Sequence, residues 1–480
     1  MTRFHYGVVL AGNDTSWLSL RRTRIIANPF AFSVVGHTLQ EEVVERFKDR
    51  PNDTYTSFDN GPTVGLWGVR GGWEIVDCDL YGAYITVSTH HNRCDGEPDP
   101  GTTTDRTPAW FGRIANSRIR YGDGVAIMAD SAKQLIVEDS SFGGASLASM
   151  QMMDISTYED IGYAQHLFFA RNDFGGQLGG TQGGDGEGMN FDALNGGGAS
   201  YDGSVVGTSV DGLTLRLAER CPQSIPDGGW GPSRRLAPTL GGAVTIVDGS
   251  AGTGQYRRLV SVAADGLSLT LDHAFAVGSD IKAMAGARIL VTPYKGRVIF
   301  ANCSFTDTNS VQSYGAAFDV VFARTRFTRA GPLSSSPTGL GPNVHVEMVE
   351  NVFLASNRLD EWWHSPWPMR RKGANSSLQT GAPLLDTQIA VLGGVGFRGA
   401  AVSHFISVRD NVIHASAGLV VRGGVSQAVV EGTRAWRSEP NCVRVNLSTT
   451  DGVYERDNLC SGAAPPKEMD ARDDGRIWAR

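Results

Sequence analysis

A short pattern of alternating apolar and polar residues recurs along this chain and ends each time in one large apolar residue. The clearest copies occupy 75–80, 135–142, 167–174, 298–305, 320–327, 346–353 and 405–413. Each copy combines period-2 alternation with β-branched and aromatic residues, and an Asn, Asp or other polar residue stands close before its end. This pattern predicts β-strands, and no copy has the spacing of an amphipathic helix.

The copies return at a nearly fixed interval. Weaker copies end at Ile119, Trp436 and Leu459, and the step between neighbouring copies is 22 to 26 residues in five places along the chain. Such a period indicates a solenoid, in which each repeat buries its apolar face against its neighbours. The Leu-x-x-Leu-x-Leu frame of leucine-rich repeats is missing, and 60 glycines in 480 residues suit tight corners.

Short strands in coils of about 23 residues are what a parallel β-helix requires. The chain resembles the right-handed parallel β-helix, or pectin-lyase-like, superfamily over roughly 60–200 and 296–462. The resemblance implies an all-β solenoid. Its members include lyases, hydrolases, epimerases and phage tailspikes, so it does not fix the chemistry.

One stretch breaks the repeat and divides the chain. Between 201 and 295 the coil pattern gives way to short alternating segments with Gly, Asp and Pro turns, which predicts an inserted antiparallel β-barrel or sandwich. The strands predicted there are 214–217, 243–247, 257–262, 267–271 and 287–291. We therefore assign 1–200 to N-terminal coils, 296–462 to C-terminal coils and 463–480 to a polar tail. Because 6–10 already reads as part of a coil, we expect further residues, a signal included, to precede Met1.

Composition narrows the function classes. Hydrophobic residues make up 41% and charged residues 19% of the chain, as in a folded protein with a large core. The net charge of −7 argues against a nucleic-acid partner, and no apolar run is long enough to span a membrane. Since most β-helix enzymes act on polymers outside the cell, the resemblance favours an extracellular or periplasmic location. Assembly into a homo-oligomer such as a trimer stays open.

The cysteines favour structure over metal binding. No two of the six have the spacing of a metal site. Cys442 and Cys460 belong to the last coils, where they can meet across neighbouring turns as a disulfide. The alternative is that they are small buried apolar residues. We predict no cofactor, with calcium at the Gly-rich loop around Asp185 and Glu187 as the alternative.

Polar residues alternate with apolar ones at equivalent places in three successive coils. If Met189 and its apolar partners face inward, the intervening polar side chains face outward on coils about 4.8 Å apart. The predicted outward ladder consists of Asp154, Asn190, Asp192, Gln312 and Tyr314. Carboxylates stacked this closely repel one another, so they commonly share a proton, a cation or a substrate.

Such a ladder suits the cleavage of glycosidic bonds, for which an acid and a base or nucleophile suffice. We assign Glu187 or Asp185 as the general acid and Asp192 or Asp154 as the base or nucleophile. A substrate surface is predicted from aromatic and polar residues on the later loop and the insertion. This predicted surface comprises Trp230, Glu361, Trp362, Trp363, His364 and Trp367. The function predicted on this basis is that of a glycoside hydrolase or transglycosylase acting on a polysaccharide or oligosaccharide.

Two other classes stay open. A polysaccharide lyase or epimerase needs a neutralised uronate and a base, for which Tyr314, His345 and Arg329 are candidates. A non-catalytic glycan-binding or structural β-helix protein needs neither. The motifs of polygalacturonase-like hydrolases, alginate epimerases and pectate lyases are missing, so no catalytic residue is carried over from them.

Overall fold

Strands account for nearly all of the regular structure in the computed structural model of the protein. The described residues are 8–11, 17–26, 64–67, 71–82, 85–88, 109–121, 125–129, 132–144, 151–154, 163–175, 187–191, 201–221, 241–277, 284–292, 294–306, 308, 310–313, 315–328, 330, 333–335, 337, 341–354, 387–392, 403–414, 418–422, 424–436, 442–445 and 450–463. Within them, no helix is long and apolar enough to cross a membrane.

Most strands belong to three parallel sheets of 11 strands each, and successive strands along the chain visit the three sheets in turn. Sheet A contains Val8–Ala11, Val64–Trp67, Ile85–Ser88, Val125–Met128, Gln151–Asp154, Glu187–Phe191, Ser310–Ser313, Leu333–Ser335, Thr387–Leu392, Gly418–Arg422 and Val443–Val445. Sheet B contains Leu18–Arg21, Trp73–Val76, Ala109–Ala115, Ala132–Glu138, Tyr163–Ala170, Tyr294–Ala301, Ala317–Ala323, Asn343–Val349, Ser403–Arg409, Val425–Glu431 and Thr450–Arg456.

Sheet C completes each coil. It contains Arg24–Ile26, Asp79–Gly82, Arg118–Tyr121, Ser141–Gly144, Asp173–Gly175, Ser304–Thr306, Arg326–Thr328, Val352–Leu354, Val412–His414, Arg434–Trp436 and Leu459–Ser461. This arrangement is a parallel β-helix, and the predicted fold class is confirmed.

A small antiparallel barrel is inserted between two consecutive coils. Its six strands, in their order around the closed barrel, are Tyr201–Thr208, Thr214–Leu217, Ser268–Leu271, Tyr256–Val262, Ala243–Asp248 and Arg288–Thr292. The chain leaves sheet A after Phe191 and re-enters sheet B at Tyr294, and the strands of the two flanking coils pair directly with each other. Five of the six strands match the sequence prediction, and the strand Tyr201–Thr208 was not predicted.

Phenylalanine rings form two stacks in the interior. The stack in sheet C consists of Phe142, Phe174, Phe305, Phe327 and Phe353. Neighbouring ring centroids in it are 4.7 to 5.2 Å apart. The stack in sheet B consists of Phe169, Phe300 and Phe322, with centroids 4.5 and 4.9 Å apart. Each ring packs against the rings above and below it instead of contacting water, and this adds to the aliphatic contacts between coils.

For two weaker copies of the repeat, the predicted last residue is one position away from the residue that aligns with the phenylalanines. The predicted ends Trp436 and Leu459 are not in the stack; the residues aligned with the phenylalanines are Ala435 and Cys460. Leu459 is instead exposed. At these coils the inward residue is small, so the large neighbouring side chain dominates the pattern. The predicted end at Ile119 is correct, because Ile119 pairs with Phe142.

A buried polar residue occupies the turn between sheets B and C in most coils. These residues include Ser117, Ser140, Asn172, Thr325, Asn351, Asn411 and Thr433. Asn351 illustrates their role: its Oδ1 accepts a hydrogen bond from the Thr325 N–H at 2.9 Å, and its Nδ2 donates to the Phe322 carbonyl at 2.9 Å. The turn's backbone groups are thereby paired away from water, where an unpaired group is costly.

Cys442 and Cys460 form a disulfide in the last coils, with Cα atoms 5.6 Å apart. The sequence was compatible with this disulfide or with two free thiols, and the structure shows the disulfide. The three other described cysteines, Cys78, Cys221 and Cys303, are free and buried.

We predict that Asn351→Ala lowers the free energy of unfolding by about 1–3 kcal/mol, because it removes the side-chain acceptor of the buried Thr325 N–H and one donor to the Phe322 carbonyl. Urea denaturation measures the change. The matched control is Glu350→Asn on the same turn, where φ is 55° and the side chain is exposed. Asparagine tolerates this backbone, so the control should stay within about 0.5 kcal/mol of wild type. Equal stability of both variants would contradict the role assigned to Asn351.

We predict that the double variant Cys442→Ser/Cys460→Ser loses about 3 kcal/mol, because the cross-link no longer restricts the unfolded chain. Wild-type protein in reducing agent should match the double variant, and the reductant should not change the variant further. A stability that is indifferent to reductant would show that the disulfide contributes nothing.

Candidate functional site

A row of side chains follows a sharp bend near the start of the sheet B strands. In eight coils the residue at the bend is a non-glycine residue with a left-handed backbone. These residues are Phe111, Gln134, His166, Arg297, Asp319, His345, Phe405 and Gln427, with φ from 54° to 62°. This conformation costs an L-residue about 1–2 kcal/mol, and it is a property of the corner, since every one of these coils has it. We call this set the corner row.

The barrel packs on sheet B beside the corner row. Ala243, Tyr294, Ala316, Phe318 and Val344 form a buried cluster there, with Tyr256 and Phe405 packed against it. The approach is close: a Cβ at Gly254 of the barrel would lie 2.6 Å from the Phe405 ring and 3.1 Å from the His404 Cβ. Gly254 also has a φ of +89°, so glycine is required on both counts.

Asp319 is the centre of the polar contacts in this cleft. Its Oδ1 lies 2.9 Å from His345 Nδ1 on the next coil, and its Oδ2 accepts a hydrogen bond of 2.5 Å from the Tyr256 hydroxyl of the barrel. About a third of the Asp319 side chain and about half of the His345 side chain are exposed, at 34% and 47%. The trio therefore joins two coils and the barrel while His345 stays open to solvent.

The surroundings of Asp319 keep it ionised. Burial acts to raise the pKa of the Asp319 carboxyl, but hydrogen bonds from His345 and Tyr256 outweigh it and hold the pKa below its ordinary value. Burial, followed by the proximity of Tyr294 and Asp319, raises the pKa of Tyr256, so this phenol stays protonated and donates. An ionised carboxylate accepts only, so the neutral His345 ring carries its proton on Nδ1.

This arrangement leaves Nε2 of the neutral His345 ring unprotonated, in a side chain that is about half exposed. A carboxylate that orients an imidazole in this way also stabilises the imidazolium that forms when the ring accepts a proton. Aromatic rings fix the ring's position: the centroids of Phe405 and Tyr256 lie 5.0 and 6.4 Å from that of His345. The pair can serve as a general base or acid.

Basic side chains adjoin the pair on the other side of Asp319. Arg297 on the preceding coil donates from Nη1 to His166 Nε2 at 3.3 Å. Arg258 of the barrel lies with its guanidinium carbon 3.6 Å from the centre of the Tyr294 ring, a cation–π contact. Asp319 thus separates an imidazole from a group of cations.

The predicted ladder lies in sheet A. Strand register aligns Asp154 with Asn190 and Asn190 with Gln312, on three successive coils, which confirms their predicted alignment. Glu187 is the first residue of its strand and aligns with Ser310. Their catalytic and binding roles stay predictions.

The other predicted site residues lie outside the described residues. They are Asp185, Asp192, Tyr314, Glu361, Trp362, Trp363, His364, Trp367 and Trp230, together with Arg329 of the lyase alternative. In the part of the chain that the structure describes, no group of three or more His, Cys, Asp and Glu residues is arranged to hold a metal ion.

Most of the cleft residues were not predicted. Of the trio, only His345 was named, as a candidate base, and Asp319 and Tyr256 were missed. The sequence contains a spacing that could have revealed this row. Four polar residues each precede a stacked phenylalanine by eight residues: His166, Arg297, Asp319 and His345. Aligning the coils on those phenylalanines places the four polar residues in one row.

Comparison with known proteins gives no family for this chain: neither a family model nor a curated protein matches it.

The contacts of Asp319 predict a defined pH dependence. A carboxylate with a lowered folded-state pKa stabilises the fold above its unfolded pKa of about 4, and this contribution is lost as pH falls through the folded value. Asp319→Asn should therefore be less stable than wild type at neutral pH, and the difference should shrink on acidification below about pH 4. Urea denaturation from pH 7 to pH 2 measures it.

Tyr256→Phe should show part of the same loss, because it removes one of the two hydrogen bonds to the carboxylate. Tyr454→Phe, at an exposed tyrosine of sheet B, is the matched control and should follow wild type at every pH. A difference for Asp319→Asn that stays constant across this range would contradict the assigned role.

Proposed function

We propose that this protein is a carbohydrate-active enzyme that removes a proton from a sugar ring, as polysaccharide lyases and epimerases do, with His345 as the base. The observation that carries the proposal is the pair formed by Asp319 and His345, 2.9 Å apart, with Tyr256 on the second carboxylate oxygen. The glycan substrate follows from the resemblance to the pectin-lyase-like superfamily.

The proposed step begins with a glycan lying in the cleft between the barrel and sheet B. His345 Nε2 takes the proton from a ring carbon beside a carboxyl group, and the Asp319 carboxylate stabilises the imidazolium that forms. In a lyase the electron pair of the broken C–H bond forms a C=C double bond to the neighbouring carbon. The C–O glycosidic bond of that carbon breaks, and the leaving oxygen takes up a proton from the imidazolium or from water. In an epimerase a proton returns to the same carbon from the opposite face.

This chemistry fits the cleft better than the hydrolysis predicted from the sequence. Hydrolysis by the common mechanism needs two carboxylates that flank one bond. The described part of the cleft brings one carboxylate, Asp319, together with an imidazole and a phenol. Elimination needs a base and no second carboxylate.

Glycoside hydrolysis at the sheet A ladder is the second candidate. It is favoured by the shared register of Asp154, Asn190 and Gln312 and by the presence of Glu187 in the same sheet. On this proposal the glycan would bind across sheet A, with Asp154 or Asp192 opposite Glu187 or Asp185. We also propose secretion, which gives either enzyme access to a polymeric substrate.

We predict that His345→Gln lowers turnover by about 10²- to 10⁴-fold, the usual contribution of a general base. Purified protein is tested on a panel of uronate-containing and neutral polysaccharides. Ultraviolet absorbance of an unsaturated product detects a lyase, exchange of solvent deuterium into the sugar detects an epimerase, and new reducing ends without absorbance detect a hydrolase. The matched control is His273→Gln, an exposed barrel histidine, which should retain wild-type turnover.

The same assay separates the two sites. Loss of turnover in Asp154→Asn, Asp192→Asn or Glu187→Gln with full turnover in His345→Gln would move the reaction to sheet A. Full turnover in His345→Gln alone contradicts the first proposal.

A further inference from the structure

Four basic side chains converge on the cleft from three neighbouring coils and the barrel. Lys133, His166 and Arg297 belong to successive sheet B strands, whose residues Lys133, Gln165 and Gly296 are in register. Arg258 reaches the same place from the barrel, across the ring of Tyr294. We call these four residues the basic cluster.

The members of the basic cluster are close enough to influence one another. Burial and the charge of Arg258 lower the pKa of Lys133. Burial, followed by the charges of Arg297, Lys133 and Arg258, lowers the pKa of His166. The charge of Arg297 also contributes to the lowered pKa of Asp319, so the cluster brings like charges together beside one carboxylate.

Arg297 is the member whose surroundings are most informative. Elsewhere on the helix, arginines of sheet B pair with carboxylates on adjacent coils: Arg113 with Glu138, Arg409 with Glu347 and Arg456 with Glu431. Arg297 is exposed, and in the described part of the chain it lies in no ion pair and donates instead to the imidazole of His166. A guanidinium has five N–H donors in a planar fork that matches an oxyanion, and only one of them is needed for the contact with His166.

We propose that the basic cluster is a binding site for an oxyanion group of the ligand, a carboxylate or a sulfate ester on a glycan, with Arg297 as its main contact. Arg258 makes the inserted barrel part of this site, so the site is complete only when the barrel is docked on sheet B. The proposal rests on the proposed function for the identity of the ligand as a glycan, but its binding chemistry does not depend on turnover.

The position of the cluster relative to His345 gives the site a function in the proposed reaction. Arg297 and His345 lie on the two coils that flank Asp319, so their backbone positions are about 10 Å apart. An anionic group held by Arg297 would orient a sugar toward His345 and reduce the charge on the group next to the proton that leaves. Arg297 is therefore proposed to bind substrate and His345 to react with it.

Isothermal titration calorimetry tests the site without a need for turnover. The probes are an oligouronate, the same oligosaccharide with its carboxyl groups reduced to alcohols, a sulfated oligosaccharide and inorganic sulfate. The oligouronate or the sulfated oligosaccharide should bind, the reduced oligosaccharide should bind at least about tenfold more weakly, and added salt should weaken binding. The tighter of the two anionic probes identifies the source of the oxyanion.

Three variants locate the site. Arg297→Gln should weaken binding of the anionic probe at least about tenfold, as expected for the loss of a charge-assisted hydrogen bond. Arg258→Gln should weaken it to a smaller extent. Arg456→Gln, in sheet B far along the helix, is the matched control and should bind as wild type. Thermal unfolding monitored by circular dichroism establishes that each variant is folded.

The outcomes separate this proposal from the proposed reaction. Binding that depends on Arg297 and persists in His345→Gln supports the site, whether or not any substrate is turned over. If substrate is turned over but Arg297→Gln binds the anionic probe as tightly as wild type, the proposed binding site is wrong and the proposed reaction is unaffected. Absence of binding by every anionic probe, or equal binding of the reduced oligosaccharide, also overturns it.

Discussion

Hydrogen bonding between successive coils in fixed register is the constraint on which the rest of this structure depends. Because each strand pairs in parallel with the equivalent strand of the next coil, every residue has the corresponding residue of the neighbouring coil directly above and below it, about 4.8 Å away. A single inward phenylalanine therefore becomes a stack, and a single buried asparagine becomes a chain of side chains that satisfies the turns. The same rule turns one bend per coil into the corner row, in which His166, Arg297, Asp319 and His345 become neighbours although up to 179 residues separate them in sequence.

The barrel converts part of this row into a cleft. An outward β-helix face is otherwise exposed, and an exposed ion pair between coils contributes little to stability. Docking of Tyr256 and Gly254 of the barrel against sheet B, beside Tyr294, partly removes water around Asp319 and strengthens its hydrogen bonds. These hydrogen bonds outweigh the effect of burial and keep the carboxylate charged. The insertion thus supplies a hydrogen-bond donor, an aromatic wall and, with Arg258, a cation. A pair of coils without the barrel would have the same residues in the row but no enclosed site.

Strand periodicity and repeat length were sufficient to predict the solenoid and five barrel strands from the sequence, and they placed Cys442 and Cys460 where a disulfide was one of two alternatives. They failed where the inward residue is small, as at Ala435, because the pattern then follows the larger neighbour Trp436. The site was harder to predict for a different reason. Asp319, Tyr256 and Arg258 come together only when the barrel docks, and the barrel's contact with sheet B leaves no periodic trace in the sequence. The alignment of Asp154, Asn190 and Gln312 in sheet A could be predicted, because it depends only on the alternation of residues along each strand and on the register between coils.

The position of the proton on His345 is the most direct test of this account. We infer that an ionised Asp319 accepts a hydrogen bond from His345 Nδ1–H and leaves Nε2 free for its proposed role as the base. Nitrogen-15 NMR of histidine-labelled protein, at a pH where the ring is neutral, distinguishes the two tautomers, and comparison with His345→Gln assigns the signal among the ten histidines. The account predicts the Nδ1–H tautomer in wild-type protein and a mixture in Asp319→Asn. A wild-type ring protonated on Nε2 would contradict it.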